Sequence, residues 1–479
     1  MDDLSLARAA IDPDTARRPA LIAGGATYTF AELAERAART SAALVEDGVA
    51  AGSRVALIAK NSVETVVAIH ALIDLGATIV PVHPRLTEAE VDVVLADAQP
   101  ALVLRGDDLR SSGSRRAPLA DARGSVSSAL AIVYTSGTTG RPKGAVLSRR
   151  AFVASALASA QNLGWIDDDR WLCAMPLCHV GGLSILTRCL LARRAVILEP
   201  RFDADAVLAA VVRERATLLS VVPTMLRALI ERDAGDVLSR LRAVLVGGAA
   251  APFALLEECG LRGVPALTTY GLTEACSQVT VQRLAAPYRP RPGAGVPLAG
   301  ASVRVTREDG SAVNQGEVGR ILVRGQTLMD GYFRGPDRAP DPATDAAGFF
   351  DTADLGEIDA EGSLHVHARR SDLLVTGGEN VYPIEVEQRI EALPGVRRAL
   401  VFGVPDDRWG QRVAVALELV PGADAGAIAD AVAATLAPHK RPRLACVVDA
   451  LPLTGSGKLD RSRAAERHAA ALAPFTRGR

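Results

Sequence analysis

Between residues 54 and 271, short runs of β-branched and aliphatic residues alternate with longer amphipathic ones, and this beat narrows the fold more than any other feature. RVALIA (54–59) is followed by SVETVVAIHALIDLG, ATIVPV (77–82), TEAEVDVVLADA and PALVLR. The pattern returns with AVILEP (195–200), DADAVLAAVVRERA, LLSVVP (218–223), a helix from Pro223, AVLVGG (243–248) and APFALLEECG. Continuous apolar strands joined by helix-length crossovers mark parallel sheets covered on both faces. The expectation is an α/β protein whose large N-terminal domain, 1–370, holds doubly wound parallel sheets. Between 287 and 366 short strands (SVRVT, GRILVRG, LHVHA) are separated by Gly, Pro and Asp, which predicts a β-rich subdomain with tight turns. Beyond it, 371–479 reads as a small, mobile α+β C-terminal domain with helices over 384–393 and 424–437 and a terminal strand. Residues 106–128, rich in Ser, Arg, Asp and Gly without apolar periodicity, read as a surface loop.

Composition excludes several classes of function. Lys and Arg number 54 against 55 Asp and Glu, so no field draws the chain onto nucleic acid or an anionic membrane, and any phosphate must be held locally. The six cysteines are nowhere spaced CxxC, which reads as reduced thiols of a cytoplasmic protein. Cys173, Cys178 and His179 lie close in sequence but lack the fourth ligand and spacing of a structural zinc, so core packing is expected. His365 and His367 alternate along one strand and are read as a half-exposed face rather than a metal pair. The N-terminus carries acids and no apolar stretch of signal-peptide length, and the uncharged run from 171 is broken by Pro176, so neither export nor a membrane span is expected.

The chemistry begins at 134–144, YTSGTTGRPKG, directly after the apolar strand LAIV. Glycines let backbone amides approach an anion; the hydroxyls of Thr135, Ser136, Thr138 and Thr139 donate to its oxygens; Lys143 adds charge. The order is not that of a Walker loop, because Lys143 is followed by Gly144.

This string and four others in fixed order resemble the adenylate-forming superfamily of acyl-CoA synthetases, peptide-synthetase adenylation domains and luciferases. The others are TTYGLTEA (268–275), GFFDTADLG (348–356), ARRSDLLVTGGENVYPIEVE (368–387) and PLTGSGKLDR (452–461), so the likeness spans nearly the whole chain. It implies ATP, Mg²⁺ and coenzyme A, with a small carboxylic acid as the remaining partner; a homodimer is compatible with it. Thr135, Ser136, Gly137, Thr138, Thr139 and Lys143 would form the phosphate loop. Gly248 and Ala249 would border the adenine, with Tyr270 stacked near it, and Thr269, Gly271 and Thr273 would line the nucleotide. Glu274 would hold the metal, Asp354 and Arg369 the ribose hydroxyls, and Gly377 and Gly378 the pantetheine. Lys458 would be the cation delivered to the reacting phosphoryl group by a hinge at 369–373, and His179 a gate near the thiol path. Ala353 and Ala368 stand where the superfamily usually has glycine, and Leu453 where it often has lysine, which puts local loop geometry in question.

The acid's pocket is expected among 175–186, 220–226 and the residues around Gly271. From 172 to 192 there is no Asp or Glu to pair a substrate ammonium group, which argues against an amino acid. These strings are most similar to the acyl-CoA synthetases of menaquinone biosynthesis, whose substrate keeps a second, aryl carboxylate. Arg227 and Ser277 are the candidates to meet it, with Arg227 equally readable as a solvated helix position.

Overall fold

The computed structural model describes residues 4–105, 128–135, 142–285, 287–454, 459–461 and 463–475. The expected beat of strands builds two sheets. One has nine strands, and six of them, Ala266–Leu272, Ala243–Val246, Leu218–Val221, Arg170–Cys173, Ala195–Leu198 and Pro19–Ala23, run parallel in that spatial order. The other has a parallel centre of Ala129–Thr135, Thr78–Val82, Arg54–Ile58 and Leu102–Arg105. The hairpin of Pro19–Ala23 with Ala26–Thr29 closes an edge of the first sheet. It precedes the alternating pattern, and a four-residue strand offers too little periodicity to be read from sequence.

The helices Val63–Leu75 and Val180–Ala192 contribute most of their side chains to the largest apolar cluster, which also takes in both sheets. Val63–Leu75 buries every residue from 65 to 73, the signature of a helix apolar all round. Its ends are sharp: Ser62 accepts the Thr65 N–H, and Gly76 takes φ 73°.

The β-rich expectation for 287–366 is met by an antiparallel sheet of Ala301–Thr306, Gly319–Gly325, Phe350–Ile358 and Leu364–Arg369. His365 and His367 do lie half-buried on its last strand, each beside an acid, Asp359 at 2.7 Å and Glu357 at 3.3 Å. A fourth sheet is built wholly from residues after 373: Glu379–Val381, Leu374–Thr376, Gly410–Leu419, Leu444–Val447 and Ala473–Pro474, with Val396–Asp406 on Gly410–Leu419. The helices Pro383–Glu391 and Ala425–Thr435 pack on it around Val386, Ile390, Val415 and Val432. Among the described residues no helix is long and apolar enough to cross a membrane.

Candidate active site

Parallel sheets present their strand ends and following loops on one side, and open α/β folds bind ligands there. Ala129–Thr135 and Lys143–Ser148 are adjacent antiparallel strands on which Thr135 and Lys143 are register partners, with the Thr135 hydroxyl 3.5 Å from the Lys143 carbonyl. The exposed Lys143 ammonium lies 5.4 Å from the centre of the Tyr332 ring, and the Tyr332 hydroxyl donates to Glu274 Oε1 at 3.0 Å. Glu274 sits in the short turn Thr273–Ala275 after Ala266–Leu272, and its carbonyl accepts the Met329 N–H. Lysine, phenol and carboxylate therefore form one polar array. A half-buried carboxylate with one oxygen engaged by a neutral hydroxyl retains hard oxygen lone pairs, which fits Mg²⁺. Ser136, Gly137, Thr138, Thr139 and Lys458 lie outside the described residues.

A second array flanks the first. The Tyr270 hydroxyl donates to Asp354 Oδ2 at 2.6 Å, and Arg369 Nε lies 3.2 Å from Asp354 Oδ1. Arg369 and Asp354 are register partners on adjacent strands, so the sheet fixes their meeting. Burial pushes the Asp354 carboxyl above its ordinary range, opposed by Arg369 and the Tyr270 hydrogen bond. Tyr270 is buried in the core and its hydroxyl is committed to Asp354. Ala353, in place of the usual glycine, is held at φ 58° in the left-handed region, with its N–H on Asp351. Ala368 is simply buried in extended backbone.

The residues expected at the adenine lie on and after two neighbouring parallel strands. Gly248, at φ 81°, and Ala249 are exposed after the strand Ala243–Val246, and a Cβ on Gly247 would meet the Thr269 methyl at 2.8 Å. Gly271 has a stricter requirement: a side chain there would collide with the Ser277 carbonyl at 1.7 Å. Thr273 opens the turn that carries Glu274.

His179 caps the helix Val180–Ala192 beside Cys178, and its ring lies 5.5 Å from that of His83. The same helix carries a residue that sequence reasoning passed over. Arg188 is 3% exposed, lies over the Trp171 ring and donates to Ser155 Oγ at 3.3 Å, while its Nε has no hydrogen-bond partner among the described residues. Burial pulls its pKa down to about 10, and the groups acting back on it are the Cys276 and Cys189 thiols, not an acid. Cys276 is the residue that ends the Glu274 turn, so this buried cation lies near the segment that carries Glu274. The sequence signal was a single charge inside an apolar helix. Arg227, the sequence-based candidate, lies half-buried on the helix Pro223–Arg232, and its charge acts on Cys259 and on Glu391, the last residue of the fourth sheet's first helix.

Gly377 and Gly378 form the two-residue loop between Leu374–Thr376 and Glu379–Val381, at φ 60° and 84°, as a primed turn demands. They are not brought into either array: a Cβ on Gly377 would strike Trp409, and one on Gly378 would meet nothing within 4 Å. Asp372, within the expected hinge, is paired by Arg461 at 3.2 Å.

Two parallel-centred sheets and two polar arrays, Lys143–Tyr332–Glu274 and Tyr270–Asp354–Arg369, place this chain among α/β enzymes. The chain belongs to the AMP-binding enzyme family, whose model matches residues 8–333, with the AMP-binding enzyme C-terminal domain over 385–458. It is 36% identical over 474 residues to the 2-succinylbenzoate–CoA ligase of Bacillus cereus (strain Q1), covering 96% of this chain and 97% of that protein. Its fold is similar to o-succinylbenzoate CoA synthetase from Bacillus subtilis in complex with the acyl-adenylate intermediate OSB-AMP, with a TM-score of 0.87, 34% identity, and 96% and 97% of the two chains covered. The same Bacillus subtilis enzyme in complex with ATP and magnesium ion gives a TM-score of 0.86 at 34% identity over 96% of this chain and 98% of that one.

Proposed function

We infer that this chain is an AMP-forming acyl-CoA ligase that converts o-succinylbenzoate, ATP and coenzyme A to the CoA thioester, AMP and pyrophosphate. A carboxylate is a poor electrophile because it would have to expel oxide. In the first step its oxygen attacks the α-phosphate of ATP and pyrophosphate leaves; in the second the thiol attacks the acyl carbonyl and AMP leaves.

Thr135 and Lys143, with Ser136, Gly137, Thr138 and Thr139, hold the phosphates. Glu274 would hold Mg²⁺, which when bound neutralises charge on the phosphoryl oxygens. Asp354, oriented by Tyr270 and Arg369, accepts the ribose hydroxyls with its remaining lone pairs. Lys458 supplies the second cation at the transferring group. The domain division falls at 370/371, and the C-terminal domain turns about 369–373 to deliver first Lys458 and then Gly377 and Gly378 beside the thiol, with His179 at its path. The reaction needs no membrane and suits the cytoplasm.

Arg188 carries the choice of acid. Burying an uncompensated guanidinium costs several kcal/mol, and a second carboxylate on the substrate would compensate it where no acid among the described residues does. The test is pyrophosphate release from o-succinylbenzoate and from benzoate, with and without coenzyme A. Rapid release with o-succinylbenzoate and CoA-dependent thioester are expected; equal rates with benzoate would refute the assignment of the acid. Lys458→Ala should reduce ATP–pyrophosphate exchange by about 10²–10³-fold, and normal exchange would remove Lys458 from the chemistry.

A further inference from the structure

The loop after Arg170–Cys173 and the loop after Thr78–Val82 meet where the two parallel sheets present their strand ends. His83 comes from the second loop, Cys178 and His179 from the first, and one potential ligand atom of each lies within 4.8 Å of the others. This meeting is built in. The Asn61 amide donates to the Met175 and Glu199 carbonyls, both at 3.0 Å, and its Oδ1 accepts the Leu177 N–H at 3.0 Å. Asn61 follows Arg54–Ile58, which is bonded in register to Thr78–Val82, so one side chain pins the cysteine loop to the sheet that carries His83. Cys173 does not join the group: its thiol turns to the Met175 carbonyl at 3.5 Å.

We propose that His83, Cys178 and His179 form a site for a borderline-soft transition-metal ion of the Zn²⁺ and Co²⁺ class, distinct from the Mg²⁺ position at Glu274. Two imidazoles and a thiolate are the donors such ions select, and three protein ligands leave a fourth position for water. With metal–nitrogen bonds near 2.0 Å and a metal–sulfur bond near 2.3 Å, tetrahedral donors stand roughly 3.3–3.7 Å apart. The cluster therefore has to close by about 1 Å, a side-chain adjustment.

The proton balance follows from the chain. Burial pushes the Cys178 thiol up to about 12, so the metal-free protein carries S–H, and binding forms the metal–sulfur bond with loss of one proton to solvent. His83 Nδ1 accepts the Arg85 N–H at 3.0 Å, which leaves the ring proton on Nε2. Coordination through Nε2 moves that proton to Nδ1 and gives up the Arg85 bond, releasing nothing further.

The experiment is a titration of the metal-stripped full-length chain with Co²⁺ alone, in Mg²⁺ buffer with a phosphine reductant. The expected result is one equivalent of Co²⁺ giving a thiolate-to-cobalt charge-transfer band, bleached by one equivalent of Zn²⁺. Cys178→Ala should abolish the band, His83→Asn should weaken binding at least tenfold, and Cys173→Ala should leave both unchanged. No band, or a band that survives Cys178→Ala, would overturn the proposal. Should Cys178→Ala fail to fold, the half-buried His83 decides: undiminished affinity in His83→Asn rejects the site, and a tenfold loss supports it. The readout needs no turnover, so its failure leaves the ligase reading untouched.

Discussion

Arg188 shows how much a single buried charge can say. The stretch 172–192 contains no acid, and that absence was legible in the sequence as an argument against an ammonium substrate. The complementary observation, an arginine inside the apolar run GGLSILTRCLL, was equally legible there, but only packing shows that it is buried without an acidic partner among the described residues. Arg188→Gln should raise the KM for o-succinylbenzoate by about 10–100-fold, the scale of a lost charge-assisted hydrogen bond at ~1.5–3 kcal/mol, and change that for ATP little. Equal KM values for wild type and variant would release Arg188 from the substrate. Ala353 carries a different lesson, since its departure from the expected glycine is visible in sequence while its cost is conformational. At φ 58° a Cβ is disfavoured by roughly 1 kcal/mol, so Ala353→Gly should raise stability by about 0.5–1 kcal/mol in urea unfolding. A destabilised variant would mean that side-chain contacts outweigh the strain.

At the scale of elements, the strands with continuous apolar runs were legible because burial on both faces leaves no alternation to misread. Pairings between distant strands were not: the Arg369–Asp354 register and the Tyr332–Glu274 contact depend on sheet topology, which local patterns do not encode. The hairpin of Leu374–Thr376 and Glu379–Val381 lies between these cases, because Gly-Gly announces a primed turn but not what the turn touches. Here Gly378 faces open space, so a methyl group added there strains the turn without a clash. If the turn forms part of a narrow thiol path in a second pose, Gly378→Ala should leave ATP–pyrophosphate exchange within about threefold of wild type and slow thioester formation at least tenfold. Those expectations follow from a strain of ~1 kcal/mol in the turn and a steric block confined to the second step. Equal slowing of both half-reactions would assign the hairpin a purely structural role.

The whole molecule is joined by charge as well as by chain. The helix Pro223–Arg232 presents Arg227 and Glu231, one turn apart, towards Glu391 and Arg397 of the C-terminal unit, with Arg397 Nε 3.9 Å from Glu231. Glu391 accepts the Ala399 N–H at 2.9 Å, yet burial raises its pKa to about 7, with Glu387 adding to the rise and Arg227 and Arg398 opposing it. An acid whose folded pKa lies above its ordinary value of 4.5 holds its proton longer in the folded state than in the unfolded one. Its contribution is therefore complete below about pH 4.5 and is lost as the pH rises through about 7, the opposite of a salt-bridged carboxylate. Glutamine keeps the acceptor for Ala399 and cannot ionise. Glu391→Gln should therefore gain stability relative to wild type between pH 5 and 8, by on the order of 1–3 kcal/mol at the alkaline end. Thermal melts of both proteins across that range measure the difference. A pH-independent offset would show that Glu391 stays charged, held by Arg227 and Arg398, and that the contact between the two units is an ion-pair network in every state of protonation the enzyme meets.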